Sequence, residues 1–147
     1  MPESILFLCT HNSARSQMAE ALARDLAARR GSDVTVYSAG TEARGVHPLA
    51  VKAMNEAGLD LSTHRSKTLS DVPRDPTYVI TLCSSAAESC PVFPGTTRVE
   101  HWDLPDPSAA KGSEEQRLAV FRQVRDEIRR RLEAFWKKHL STGGADG

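Results

Sequence analysis

The chain has 147 residues, of which 39% are apolar and 26% charged. That is enough for one domain with a proper core and too little for two comfortable ones. Its 19 Lys and Arg balance 19 Asp and Glu, which gives no electrostatic case for nucleic acid or an anionic membrane, so any anion binding must be local. No run approaches the ~20 apolar residues of a membrane span, and the N-terminus carries no basic, apolar and small-residue signal pattern. A cytoplasmic monomer is expected, with one domain over residues 1–140 and a flexible tail over 141–147. Three cysteines, at 9, 83 and 90, are an odd number without the spacing of a secreted scaffold, and in a reducing compartment such thiols are more often reactive than structural.

Ser4-Ile5-Leu6-Phe7-Leu8 reads as a buried strand that runs into Cys9-Thr10-His11-Asn12-Ser13-Ala14-Arg15-Ser16, and a helical pattern starts at once. A thiol there sits at the carboxyl edge of an open α/β sheet, where such sheets place their ligands. The loop can aim successive backbone N–H groups inward, and the following helix presents its positive end to the same spot. Those two features and a nearby cation favour a thiolate, so Cys9 is expected to be a nucleophile at neutral pH. Arg15 offers a planar fork to two oxygens of a tetrahedral oxyanion, and Ser16 can donate its hydroxyl to the sulfur. Thr10, His11, Asn12, Ser13, Ala14, Arg15 and Ser16 together form the predicted cradle.

Gln17 to Arg30 has Ala, Leu and Met at helical intervals and is stopped by Gly31. Asp33 to Ser38 alternates and is rich in β-branched residues, which predicts a second strand closing on Ala39-Gly40. His47 to Ala57, with Pro48 near its start and Gly58 after it, is a second helix. Strand and helix alternating in this order imply parallel pairing. The stretch from Leu59 to Pro76 is polar and irregular, with a short helix around Leu69 to Val72. Tyr78 to Cys83 is a third buried strand that again ends in a thiol, and if it neighbours the first, both thiols lie on one edge of the sheet. Thr97 to Trp102 is a fourth strand. Ser113 to Leu140 is the longest helix, whose Leu118, Phe121, Val124, Ile128, Leu132 and Phe135 form a core stripe. The fold class is α/β, a three-layer sandwich with a four-stranded parallel sheet flanked by helices.

Cys83 and Cys90 allow two readings. In a regular helix their Cα atoms would lie ~10 Å apart, beyond the ~7 Å that a disulfide tolerates. Pairing them therefore requires the small, polar segment Ser84 to Ser89 to unwind or loop, which is cheap because little there is buried. The other reading makes Cys83 strand core and Cys90 a loop thiol. A zinc site is a weak rival, since the two cysteines lack the CxxC turn, and no metal is expected. Asp106 is held extended by Pro107 on a loop after a strand, where it could face the cradle, with Asp103 as its competitor. His11, His47 and His64 read as loop or surface histidines.

CTHNSARSQMAE from Cys9 to Glu20, Tyr37-Ser38-Ala39-Gly40, Thr81-Leu82-Cys83, Cys90-Pro91 and Glu100-His101-Trp102 ahead of Asp106-Pro107 resemble the thioredoxin-coupled arsenate reductases built on the low-molecular-weight tyrosine phosphatase fold. The resemblance spans about residues 4 to 135. It implies a cascade in which Cys9 attacks arsenate, Arg15 and the loop amides stabilise the transferring group, and Asp106 protonates the departing oxygen. Cys83 then attacks Cys9 and releases arsenite, and Cys90 attacks Cys83, carrying the disulfide out to thioredoxin, the external reductant; no bound cofactor is implied. Asn12 holds the loop geometry in that family. Some relatives bind potassium through residues matching Asn12, Glu20, Ser38 and an acid at position 67. Here position 67 is Lys67, whose ammonium can interact with Glu20 in the cation's place, so no potassium requirement is expected. Ala14 replaces a cysteine of some relatives, and His11 stands where glycine is common. Phosphate is expected as an analogue of arsenate, with weak phosphatase activity. The alternatives are a low-molecular-weight phosphotyrosine phosphatase and a thiol-redox sensor without turnover.

Overall fold

The computed structural model describes residues 3–83 and 98–140. Four parallel strands form one sheet in the order β2-β1-β3-β4, with β1 at Ser4–Cys9, β2 at Thr35–Gly40, β3 at Tyr78–Thr81 and β4 at Arg98–His101. The register aligns Cys9 with Gly40 on one side of β1 and Leu8 with Thr81 on the other. The first and third strands are therefore neighbours, and the carboxyl ends of three strands meet at one edge of the sheet.

Period-two alternation divides the central strand between two cores. Ile5, Phe7 and Cys9 of β1 join the larger core, with residues of α1 (Arg15–Arg29), α2 (Pro48–Glu56) and α3 (Glu114–Phe135). Leu6 and Leu8 face the opposite side, where Ala39 and Val79 lie beside the partly buried Tyr37, Leu69 and Val72. The result is the layered α/β sandwich expected from the strand and helix order. Leu118, Phe121, Val124, Ile128, Leu132 and Phe135 are all buried, so the long stripe is core. Tyr78 meets Phe135 edge-on at 5.2 Å between ring centroids, a favoured aromatic geometry.

The boundaries differ from the sequence reading for local reasons. Helix α1 begins at Arg15 and not at Gln17, directly out of the loop, and no side chain caps its first turn. Its leading N–H groups are left for another acceptor. Strand β2 closes on Gly40 as expected, its pairing with β1 continuing to Cys9, but begins at Thr35 and not at Asp33. Strand β3 stops at Thr81, short of Cys83. The Leu82 N–H still donates to the Leu8 carbonyl at 2.8 Å, and its own carbonyl turns to Arg15 at 3.3 Å. The long helix is α-helical from Glu114 to Phe135, begun by a Ser113–Gln116 capping box, and continues as a π-helical turn over Trp136–Leu140. The short helix expected near Leu69 is a 3-10 turn at Leu69–Asp71. Cys90, the segment Ser84 to Ser89 and the tail 141–147 lie outside the described residues.

Among the described residues no helix is long and apolar enough to cross a membrane.

Candidate active site

Cys9 ends β1 as a free, buried thiol, and the loop after it is held from outside by its carbonyls. Thr10 O accepts from the Glu42 N–H at 3.1 Å and the Thr41 hydroxyl at 2.9 Å. His11 O accepts from the Arg44 N–H at 3.2 Å, and Ser13 O from the His47 N–H at 2.9 Å. Asn12 O accepts from the Ser66 hydroxyl at 2.6 Å. A trans peptide sets each carbonyl antiparallel to the next N–H. Tying four consecutive carbonyls outward thus turns the amides of residues 11–14 inward, next to the uncapped start of α1. That is a nest for an anion.

Asn12 is the pivot of the loop. Its φ of 47° lies in the left-handed region, which asparagine tolerates better than most residues. Its Oδ1 accepts from the Lys67 N–H at 2.7 Å and from Gln17 Nε2 at 2.9 Å. A backbone N–H can only donate, so the amide's orientation is fixed and Nδ2 donates to Ser16 Oγ at 2.7 Å. Ser16 is left with its own proton for Cys9 Sγ, 2.9 Å away. The hydroxyl therefore supports the sulfur best as an anion.

Arg15, 2% exposed, carries its charge beneath this loop. Its Nη1 donates to the carbonyls of Leu82 at 3.3 Å and Leu104 at 3.1 Å. Nη2 stands 3.8 Å from Asp106 Oδ2. Asp106 in turn caps the 3-10 turn Pro107–Ala109, its Oδ1 accepting from the Ser108 N–H at 3.0 Å and hydroxyl at 2.7 Å. Oδ2 is left toward the arginine. Cys9, His11, Ser13, Ala14, Arg15, Asp106 and Ser108 line one small cavity. Asp106 lines it and Asp103 does not.

A second buried charge lies behind the loop. Glu20 accepts from the Ser38 hydroxyl and pairs with Arg24 at 2.5 Å and with Lys67 Nζ at 3.6 Å. Lys67 Nζ also donates to the Arg65 carbonyl at 2.9 Å. A cation is thus supplied by the chain beside Glu20. Among the described residues no cluster of three or more His, Cys, Asp and Glu is placed to hold a metal.

Cys83 is buried just past β3, the strand beside β1. Of the three histidines read as loop or surface residues, His11 lines the cavity, and His47 and His64 are half-buried and touch the loop's supports. His47 Nδ1 accepts from the Leu49 N–H at 3.0 Å as the N-cap of α2, and its ring packs on Phe121. Burial and then the Arg117 charge hold it below its ordinary value, against the opposing pull of Asp106. His64 Nδ1 meets Gln17 Oε1 at 3.0 Å. Sequence reading missed Gln17, Ser66, Ser108 and the steric need for Gly40. An Asp-Pro-Ser turn foretells the Ser108 contact with Asp106; nothing local signals the others.

The model of the family described as low molecular weight phosphotyrosine protein phosphatase matches residues 4–143. An arsenate reductase of Bacillus licheniformis is 48% identical over 134 residues, covering 90% of this chain and 94% of its own. A solved arsenate reductase in a phosphate-binding state superposes with a TM-score of 0.76 at 35% identity, over 92% of this chain and 98% of that one. A thioredoxin-dependent arsenate reductase of Corynebacterium glutamicum superposes with a TM-score of 0.66 at 32% identity, over 93% of this chain and 61% of that one.

Two measurements check the geometry. A Cβ at Gly40 would fall 2.7 Å from Asn12 N, 2.8 Å from Thr10 O and 2.9 Å from Cys9 O, all backbone that cannot yield without moving the loop. Gly40→Ala is expected to cost about 1–3 kcal/mol in urea unfolding and to weaken phosphate binding by calorimetry. The second concerns pH. His47 is less basic folded than unfolded, so its contribution to stability is complete above about 6.5 and is lost as pH falls below that toward its folded value. His47→Asn keeps an N-cap acceptor and is expected to flatten the decline in melting temperature over that window.

Proposed function

We propose, from the premise that the chain belongs to the low molecular weight phosphotyrosine protein phosphatase family and within it to the arsenate reductases, that it reduces arsenate through a three-thiol relay recycled by thioredoxin. The observation that carries this reading is the second cysteine: Cys83 follows the strand paired with the one that ends in Cys9. Hydrolysis of a phosphate ester has no use for it.

In the proposed reaction the Cys9 thiolate attacks arsenic and an As–O bond breaks, the departing oxygen taking a proton from Asp106. Arg15 and the inward amides hold the remaining oxygens where charge develops, which is how a preorganised nest lowers such barriers. Asp106 is suited to its role because Ser108 occupies Oδ1 and leaves Oδ2 facing the cradle. Ser16 supports Cys9 as an anion before attack and again when it leaves.

Reduction follows when the Cys83 thiolate attacks Cys9 Sγ. An S–S bond forms, the S–As bond breaks, and its electron pair stays on arsenic, which departs as arsenite. Two thiols lose the two electrons that arsenic gains. Cys90 then attacks Cys83, Cys9 returns as a thiolate, and the outer disulfide is left for the dithiol of thioredoxin. The thioredoxin-dependent relative supports this choice of reductant. No metal cofactor is proposed, Lys67 serving as the cation beside Glu20.

Cys83→Ser and Cys90→Ser are each expected to abolish multiple-turnover arsenate reduction with thioredoxin, thioredoxin reductase and NADPH while keeping most hydrolysis of p-nitrophenyl phosphate. If neither substitution alters arsenate turnover, the relay is wrong and phosphate-ester chemistry is what remains. Arsenate kinetics in sodium and potassium salts at equal ionic strength are expected to coincide, and Lys67→Asp to create a potassium response. A potassium stimulation of the unaltered enzyme would remove Lys67 from the role given to it.

A further inference from the structure

We infer that His64 is a positioning residue for the nucleophile, acting through Gln17, Asn12 and Ser16. The starting point is the direction of the protons. Gln17 Nε2 lies within reach of three oxygens, Asn12 Oδ1 at 2.9 Å, Arg65 O at 2.9 Å and Asn12 O at 3.3 Å. Turning the amide over would place a carbonyl oxygen against all three, so the orientation is fixed and Oε1 is an acceptor. The group facing it at 3.0 Å is His64 Nδ1, which must therefore carry a hydrogen. Neutral His64 is held as the Nδ1–H tautomer.

From there each link constrains the next. His64 donates to Gln17, Gln17 donates to Asn12, Asn12 donates to Ser16, and Ser16 donates to Cys9 Sγ, across contacts of 3.0, 2.9, 2.7 and 2.9 Å. Gln17 is wholly buried, and His64 supplies the hydrogen bond to its Oε1. Aligned donors polarise one another in such a chain. At its far end the sulfur receives a hydrogen bond whose quality depends on a histidine 47 residues from Gln17 in sequence.

The outer edge of the ring lines an open cavity together with Glu20, Arg24, Arg65 and Lys67. Glu20 and Arg24 face His64 from α1, and Asp60 and Lys67 from the chain after α2. Burial and the cations make the ring less basic, while the carboxylates oppose them. The Nδ1–H is present in both the neutral and the cationic ring, so titration of His64 leaves this link intact. What breaks it is loss of the donor itself.

The inference concerns Cys9 as a nucleophile and uses the proposed reaction only in taking that sulfur as the attacking group. Its test reads the sulfur directly. In the full-length reduced enzyme, iodoacetamide modification of Cys9 is followed site by site by mass spectrometry across pH. His64→Leu is expected to slow Cys9 modification at neutral pH about fivefold, the worth of one hydrogen bond, and to move the pH profile upward. His64→Asn keeps an N–H donor near the Nδ1 position and is expected to restore the original profile. A folded His64→Leu enzyme with the original profile would overturn the inference, as would equal losses in both variants. Should His64→Leu fail to fold, the nitrogen resonances of His64 in the unaltered enzyme decide: a protonated Nδ1 at neutral pH is expected, and an Nε2–H tautomer overturns the chain of donors. Cys83 and Cys90 take no part in these readouts, so failure of the arsenate relay leaves their outcome unchanged.

Discussion

The site depends on one residue being held where few residues go. Asn12 occupies the left-handed region at a conformational cost that its surroundings must offset. They do so with its backbone oxygen bound by Ser66 and Gln17, and its side-chain oxygen bound by Gln17 and the Lys67 amide. The same contacts that stabilise this turn also orient the amide that orders Ser16. Loop shape and sulfur chemistry are thus one network, and a change that relaxes the backbone also disturbs the thiol.

Burying Arg15 is the second constraint, since a desolvated charge is costly unless it is bound. Two carbonyls and the Asp106 carboxylate hold it. The carbonyls come from Leu82, after β3, and Leu104, after β4, so the guanidinium ties the ends of two strands to the start of α1. That is why the fold builds the site at this edge and why Asp106 and Cys9 share a cavity. Behind the loop, Lys67 meets Glu20 with a tethered charge. A tethered ammonium loses side-chain freedom on folding but no translational freedom on binding.

Much of this was legible in the chain and some was not, for physical reasons. The strand ending in Cys9, the loop to Ser16, the Lys67 contact with Glu20 and the α3 stripe each follow from local pattern or from residues paired by the resemblance. Element ends were less legible, because β2 starts and β3 stops where their partners do, and a partner's length is not a local property. The supports around Asn12 were the hardest to see. Gln17, Ser66 and His64 are polar residues of ordinary type, and only the packing of the chain after α2 against α1 brings them together. Gly40 carried a visible motif but no visible reason; the reason is the close passage of three backbone atoms.

The edge of the sheet also explains how one scaffold can serve both ester hydrolysis and reduction. Residue 82 is fixed on both sides, its N–H by Leu8 and its carbonyl by Arg15. Movement needed to bring a second sulfur to the first must therefore begin at residue 83, beyond the last residue of β3. The carbonyls of the loop are held by residues 41, 42, 44, 47 and 66, and the Asn12 amide by Gln17 and Lys67, none of them in the chain that directly follows residue 83. The relay proposed for Cys83 therefore asks for no change in the bonds that shape the loop, so a thiol cascade and a phosphatase-type loop are compatible on one sheet edge.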